Sequence, residues 1–158
     1  MVKPWMVIGA VTIVTAVVGN QLLTDEDTRW FRHLQRPRWL TFEKAIPAIW
    51  TIIFICGARS AVLVWNAAPG TPRVWGLMGL YFLLELLTIA YTPGMCKTKS
   101  LRVGTAIGAA GAVTSVILAL LVFPVSRPAV GLLLPYILWS PVGTYTTQAM
   151  IPLNPGDR

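Results

Sequence analysis

Two charged residues inside apolar stretches are the first candidates for chemistry in this chain. Arg59 lies in an apolar run at about residues 46–65, and Glu85 lies in another at about residues 74–92. A charge inside a bilayer is costly unless it is paired or hydrated. The link between the two runs is short and rich in proline and glycine, which predicts an antiparallel helical hairpin. We therefore expect an intramembrane Arg59–Glu85 ion pair, which either fixes helix packing or takes part in binding a ligand or a proton.

Residues 30–50 form a second candidate, because this stretch combines aromatic and basic side chains. It contains Trp30, Trp39 and Trp50, three of the seven tryptophans, together with four Lys/Arg residues and the single histidine. Pro37 fixes its own φ and favours extended backbone at Arg36. A rigid, basic, aromatic loop between apolar segments is expected to contribute to binding and not only to connect.

Other kinds of site find no support in the sequence. One histidine and two cysteines, without a C-x-x-C motif, do not make a metal site. Neither a nucleophile–base pair nor a phosphate-binding loop is recognisable. We therefore predict no catalytic residues, no metal and no required cofactor.

The composition places these candidates in a membrane protein. The chain has 158 residues, of which 55% are hydrophobic and 12% charged, and a soluble domain carries about twice that charged fraction. The net charge of +7 does not indicate nucleic-acid binding, because the basic residues flank apolar segments. The lipid bilayer is the expected environment.

Five apolar segments of the chain are expected to hold the candidate residues in place. Each is long enough to cross a bilayer as a helix, and Pro93-Gly94 is expected to end the third. Residues 1–158 are therefore predicted to form a single all-α membrane domain, a bundle of five transmembrane helices. The predicted helices span about residues 5–23, 46–65, 74–92, 101–123 and 129–152. Residues 24–45 form the first loop, and its acidic run Asp25-Glu26-Asp27 is expected to lie in water.

Two further patterns concern packing and orientation. Gly104-x-x-x-Gly108 allows close helix approach, either within the bundle or between two copies of the chain. Nine basic residues, including Arg158, lie in the first loop, in the link near residue 100 and at the C-terminus, against three on the other side. The positive-inside rule places the nine on the cytoplasmic side of a multi-pass protein.

With these segments mapped, the chain resembles the translocator protein/tryptophan-rich sensory protein family, also called the peripheral benzodiazepine receptor family. The family's first-loop pattern W-[YF]-x-x-L-x-[KR]-P-x-W is met by Trp30, Phe31, Leu34, Arg36, Pro37 and Trp39. Its pattern at the start of the second span is met by Pro47, Trp50, Ile53 and Phe54. Its fifth-span and C-terminal patterns are met by Leu133, Pro135, Tyr136, Trp139, Leu153, Asn154 and Pro155.

The resemblance implies a five-helix bundle, usually a homodimer, that binds porphyrins and other flat hydrophobic ligands. Carried over by position, Trp39, Trp50, Phe54 and Trp139 line the pocket and Phe31 covers it from the first loop, which acts as a lid. Large aromatic faces suit a planar macrocycle, and the loop cations are expected to meet porphyrin carboxylates. The expected ligand is a porphyrin or haem-type tetrapyrrole.

The chain also departs from the family pattern. Glu85 falls near a position that is commonly asparagine, and it joins the predicted ligand-binding residues for that reason. The family's sterol motif is absent from the last segment. The leading hypothesis is a receptor or sensor that binds a tetrapyrrole and influences its handling or transport. The alternatives are a non-catalytic membrane assembly protein with an altered or lost pocket, and an enzyme that degrades the porphyrin.

Overall fold

The structure, a computed structural model, describes residues 3–157. Its α-helices are α1 (Pro4–Gln21), α2 (Asp25–His33), α3 (Ile46–Ala67), α4 (Pro72–Thr98), α5 (Leu101–Val122) and α6 (Arg127–Met150). Two short 3₁₀ turns, Glu43–Ala45 and Ile151–Leu153, precede α3 and follow α6. Within residues 3–157 there is no β-strand, and the all-helical prediction is confirmed. Arg158, which contributes to the charge asymmetry, lies outside the described residues.

Four helical segments are long and apolar enough to cross a membrane, namely Pro4–Gln21, Glu43–Ala67, Pro72–Thr98 and Leu101–Val122. The last helix, α6, has 24 residues, a length of about 36 Å, but it is not among the four. Its final turns carry polar residues, including Thr144, Thr146 and Gln148. A membrane protein with four such helices is therefore supported, and this criterion does not confirm a fifth span.

The first loop contains a helix that the sequence analysis did not predict. Thr24 and Asp27 form a capping box at the start of α2: the Asp27 amide donates to Thr24 Oγ1 at 3.2 Å, and the Thr24 amide donates to Asp27 Oδ2 at 3.0 Å. Asp25 and Glu26 are exposed as expected, but Asp27 is only 5% exposed. The expectation that the whole acidic run lies in water is therefore wrong, because Asp27 closes the cap and turns inward.

The third predicted segment does not end at Pro93-Gly94. Pro93 lies inside α4, which continues to Thr98. The helix ends where Lys99 adopts a left-handed conformation, with φ 49°, and the Ser100 amide donates to the Met95 carbonyl at 3.1 Å. Gly94 has a packing role, since a Cβ there would lie 2.7 Å from Ile107 Cδ1 of α5.

The glycines of α5 face the interior of the bundle. A Cβ on Gly104 would lie 2.9 Å from Met95 Sδ, and a Cβ on Gly108 would lie 2.5 Å from Thr144 Oγ1. Both glycines thus permit close contact of α5 with α4 or α6. Of the two readings left open above, the structure places them in packing within one chain.

The helices enclose a space beneath the first loop. α6 packs against α3 and α5, α4 packs against α5, and α1 packs against α3 and α4. The main core consists of residues from α3 to α6, and Val64, Leu118 and Val122 within it are fully buried. A cavity lies at the loop end of the bundle.

Candidate ligand site beneath the first loop

A cavity of about 640 Å³ lies between α1, α3, α4 and α6, under the first loop. α1 contributes Ala16 and Gly19, and the loop contributes Leu40 and Phe42. α5 reaches it through Gly108, where a side chain would collide with Thr144 and Tyr91. A volume of about 300–1,000 Å³ is typical of sites for small organic ligands.

Seven aromatic residues are among those that line the cavity. Trp50 of α3 meets Tyr136 of α6 edge to face, with ring centroids 5.9 Å apart, and lies 6.4 Å from Phe54. Phe42 of the loop meets Trp139 of α6 edge to face at 6.0 Å. Tilted and edge-on pairs leave ring faces available to a planar ligand. The wall therefore favours a flat, conjugated, apolar molecule.

Most hydroxyl groups of the wall are engaged with backbone carbonyls or with one another. The Tyr91 hydroxyl donates to the Gly143 carbonyl at 3.2 Å and contacts Thr147 Oγ1. Thr88 Oγ1 lies 3.0 Å from the Tyr136 hydroxyl. These contacts join α4 to α6 and hold the wall in shape, so the lining is mainly apolar in its chemistry.

Two charged side chains of the first loop line the cavity, and we call this side of the cavity its mouth. Arg36 and Glu43 are the charged members of its lining among residues 3–157, and Arg36 Nε lies 3.2 Å from Glu43 Oε1. The Arg36 side chain is 20% exposed and that of Glu43 is 47% exposed. The cavity thus combines a mainly apolar lining with one ion pair at its mouth.

A second, smaller cavity of about 40 Å³ adjoins the first. Phe54, Thr88 and Tyr136 line both cavities, and Glu85 lines only the smaller one. Thr12 of α1 donates a hydrogen bond of 2.5 Å to Glu85 Oε1. Glu85 Oε2 is buried and has no hydrogen-bond partner among the described residues.

The predicted ion pair between Arg59 and Glu85 does not form in this structure. The ion pairs among residues 3–157 all lie at the loop end of the bundle. Arg59 is exposed on the outer face of α3, near Ile55, which is 62% exposed. Glu85 instead faces α1, because α4 packs this side against Thr12. The two side chains therefore point to different sides of the hairpin.

The first loop has two halves that are held differently, and we call residues 24–37 the back half and residues 38–45 the front half. The back half is tied to the C-terminal tail. Trp30 Nε1 donates to Asp157 Oδ1 at 2.6 Å, the Gln35 amide donates to Asn154 Oδ1 at 2.8 Å, and Asn154 Nδ2 donates to the Gln35 carbonyl at 3.0 Å. These bonds join segments more than 100 residues apart in sequence.

Ion pairs also hold the back half in place. Lys99 Nζ lies 3.5 Å from both Asp27 and Glu26, and Lys97 Nζ lies 3.8 Å from Asp27. The hydrogen bonds from the Thr24 backbone and side chain, with smaller contributions from the two lysines, hold the pKa of Asp27 below its usual range. The ionised form of Asp27 is thus the form that the fold favours.

The front half is held mainly by aromatic contacts. Trp39 stacks on Tyr145 of α6 at 5.9 Å and lies 6.4 Å from Phe42. Trp39 is 42% exposed and is not among the residues that line the cavity. It covers the outside of the aromatic wall and does not form the wall itself.

Most of the predicted ligand-binding residues meet at one place. Phe31, Trp50, Phe54 and Trp139 all line the main cavity, whereas Trp39 and Glu85 lie next to it. Several residues that line the cavity were not among the predicted ligand-binding residues: Phe42, Glu43, Thr88, Tyr91 and Tyr136. Tyr136 stands in the same fifth-span pattern as Trp139 and could have been identified from it.

Comparisons with known proteins cover most of the chain. A sequence model of the TspO/MBR family matches residues 7–152. The uncharacterized membrane protein YtaB of Bacillus subtilis is 28% identical over 130 residues, which cover 81% of this chain and 82% of the relative. The tryptophan-rich protein TspO of Bacillus cereus is 26% identical over 135 residues, covering 85% and 87%. The translocator protein of Homo sapiens is 27% identical over 150 residues, covering 88% and 85%.

Proposed function

The chain belongs to the TspO/MBR family, and from this premise we propose that it is a membrane receptor or sensor for a flat hydrophobic ligand of the tetrapyrrole class. In this function the protein binds the ligand beneath the first loop and influences its handling or transport. The observation that carries the proposal is the aromatic cavity, in which rings from the loop, α3 and α6 face one space. A planar macrocycle would contact Trp50 and Trp139 by stacking and by edge contacts.

The proposal includes a membrane arrangement with α6 as the fifth span. The first loop, the α4–α5 link and the C-terminal tail meet at one end of the bundle, through Trp30–Asp157 and Lys99–Asp27. A common end for these segments fits their shared excess of basic residues. We therefore assign this end, and the cavity mouth, to the cytoplasmic side.

A porphyrin titration of the purified protein tests the proposed function. Binding of protoporphyrin IX should quench tryptophan fluorescence and shift the absorbance of the porphyrin. The double variant Trp50→Ala/Trp139→Ala should weaken binding, followed by the absorbance shift, by at least about tenfold, which corresponds to about 1.4 kcal/mol.

A matched control exists at the other end of the bundle. Trp65 and Trp75 contact each other edge to face at 4.9 Å and do not line the cavity. The double variant Trp65→Ala/Trp75→Ala removes the same number of tryptophans and should leave the porphyrin affinity within about twofold of the wild type. Equal weakening in both double variants, or no binding by the wild type, would refute the proposal.

One observation favours the alternative function, a non-catalytic membrane assembly protein. Arg59 is exposed on the outer face of α3, eight residues from its end at Ala67, or about 12 Å. A cation at that depth is stabilised by a partner or by reaching the headgroups. If the alternative holds, Arg59→Leu should release a co-purifying partner in mild detergent while porphyrin binding stays unchanged. An unchanged mass of the purified particle would count against it.

A further inference from the structure

The ion pair at the cavity mouth joins a fixed residue to a movable one. Arg36 Nη1 donates to the Arg32 carbonyl at 3.2 Å and also to the Leu34 carbonyl, and its Cζ lies 5.0 Å from the centre of the Phe31 ring. Pro37, which is buried, follows it directly and restricts the backbone. Several contacts thus hold the guanidinium of Arg36 over the cavity.

Glu43 is held much less firmly. It lies in a three-residue 3₁₀ turn, its side chain is 47% exposed, and its one polar side-chain contact among the described residues is with Arg36. A partly exposed ion pair of this kind contributes little to the stability of a protein. A competing carboxylate can therefore displace Glu43 from Arg36 at little cost.

The chemistry of the pair identifies what the competitor would be. A guanidinium presents a planar fork that accepts a carboxylate through two parallel hydrogen bonds. Arg36 Nη2 makes no hydrogen bond within residues 3–157 and is free for this purpose. Arg36 is the one cation in the described lining, where Glu43 is the one other charged residue and the remainder is mainly apolar. An acid group on a bound ligand would therefore lie at the mouth, beside Arg36.

We propose that Arg36 is the carboxylate-recognition residue of the site and that Glu43 is a built-in competitor for it. On this view Glu43 pairs with Arg36 until a flat apolar ligand with a carboxylate on its edge replaces it there. Within the proposed tetrapyrrole class, the site would then prefer members that carry a free carboxylate over members that do not. This inference rests on the proposed function, which supplies the flat ligand.

Two probes that share one macrocycle but differ in charge test the inference. Protoporphyrin IX carries two carboxylates, and its dimethyl ester has the same macrocycle without them. The wild-type protein should bind the acid several-fold more tightly than the ester. Glu43→Gln should strengthen binding of the acid by about two- to fivefold, the range expected for an exposed ion pair, and leave binding of the ester unchanged.

Substitution of Arg36 should act in the opposite direction. Arg36→Gln should remove the preference for the acid while the ester still binds, and ester binding also shows that the cavity is intact. Arg36→Lys keeps the charge but loses the fork, so an intermediate preference is expected. This second variant preserves the test if Arg36→Gln disturbs the loop backbone.

Two controls separate local recognition from general charge. Arg38 is exposed and outside the cavity lining, and Asp25 is exposed at the start of α2. Arg38→Gln and Asp25→Asn make the same charge changes as the test variants and should leave the ratio of acid to ester affinity within about twofold of the wild type.

The outcomes distinguish the inference from the function on which it rests. Equal binding of acid and ester by the wild type, or an unchanged preference in both Arg36 variants, would overturn the role of Arg36 and leave the proposed function standing. An equal loss of preference in Arg38→Gln would also overturn it, because general charge would then explain the selectivity. If neither probe binds, the proposed function itself fails and this inference fails with it.

Discussion

The back and front halves of the first loop cover the same cavity but are stabilised by different interactions. The back half contains α2, and its Asp27 and Leu34 are each 5% exposed. Directional hydrogen bonds and ion pairs join it to the C-terminal tail and the α4–α5 link. In the front half, Trp39 and Phe42 are 42% and 37% exposed, and their contacts with α6 are aromatic.

This difference indicates how a ligand could enter without unfolding the lid. Breaking the back half would leave buried polar groups without partners, which costs about 1–3 kcal/mol for each group. Ring contacts in the front half tolerate sliding and tilting, because they are not tied to a single donor–acceptor geometry. We therefore expect the back half to be the fixed side of the first loop and the front half to be its movable side.

The largest expected effect comes from the apolar contact beneath α2. Leu34 packs with Met95, Leu101 and Met150. Leu34→Ala should lower the free energy of unfolding by about 2–4 kcal/mol, because a buried cavity remains. Denaturation in detergent, followed by far-UV circular dichroism, measures the change. Leu40→Ala in the half-buried front half is the matched control, with an expected loss below about 1 kcal/mol; equal losses would contradict the distinction between the halves.

Loss of the Asn154 contacts should have the next largest effect. Asn154 is 7% exposed and exchanges two hydrogen bonds with the backbone of Gln35. Asn154→Ala should destabilise the back half by about 1–3 kcal/mol and raise amide hydrogen exchange from Trp30 to Arg36. Asn66→Ala, at an exposed position of α3, should change neither quantity. Unchanged exchange in Asn154→Ala would show that the tail does not hold the loop.

A smaller, pH-dependent effect is expected from Asp27. Its pKa is lowered in the folded state, so its stabilising contribution is fully present above the unfolded pKa of about 3.9 and is lost as the pH falls through the lower folded value. Amide protection of α2, corrected for the intrinsic exchange rate, should be constant from about pH 8 to 5 and fall below about pH 4.

Two variants isolate this contribution of Asp27. Asp27→Asn should show reduced α2 protection already at neutral pH and little further loss in acid. Asp25→Asn, which leaves the capping box intact, should retain the wild-type profile. If Asp27→Asn kept the wild-type acid transition, another group would be responsible.

The smallest effect on stability is expected from the front half. Trp39→Ala should change the free energy of unfolding by no more than about 0.5 kcal/mol, because 42% of Trp39 is exposed and the residue on which it stacks, Tyr145, is itself 61% exposed. The same change removes the cover over Phe42 and Tyr145 and should speed porphyrin dissociation about threefold, measured by stopped-flow fluorescence. A stability loss as large as that of Leu34→Ala would mean that the front half is fixed as well.

Local signals in the sequence predicted the helical fold and several of the aromatic residues that line the cavity. Trp50 and Phe54 lie one turn apart on α3, and Trp139 lies in a recognisable pattern on α6. The sequence could also have predicted α2, because Thr24-x-x-Asp27 is a capping-box pattern. It could not have predicted that α4 continues through Pro93, because this continuation depends on packing against α5 and on the left-handed turn at Lys99.

The interaction partners of the charged residues could not be predicted from the sequence. Glu85 and Arg59 are close along the hairpin, yet Glu85 bonds with Thr12, 73 positions away. Which residue a buried carboxylate meets depends on how α4 is rotated against α1. The hydrogen bonds of Trp30 and Gln35 with the C-terminal tail, more than 100 positions away, likewise depend on the tertiary packing.

The sequence by itself determined that this is a helical membrane-protein chain with an aromatic, basic first loop, because composition and segment length suffice for that. The tertiary structure alone decided which faces of the helices point inward. Leu118 is fully buried and Leu120 is 70% exposed, although they lie on the same helix. In a membrane protein both the lipid-facing and the core-facing sides are apolar, so the periodicity that reveals the inner face of a soluble helix is weak. Only packing between helices resolves it.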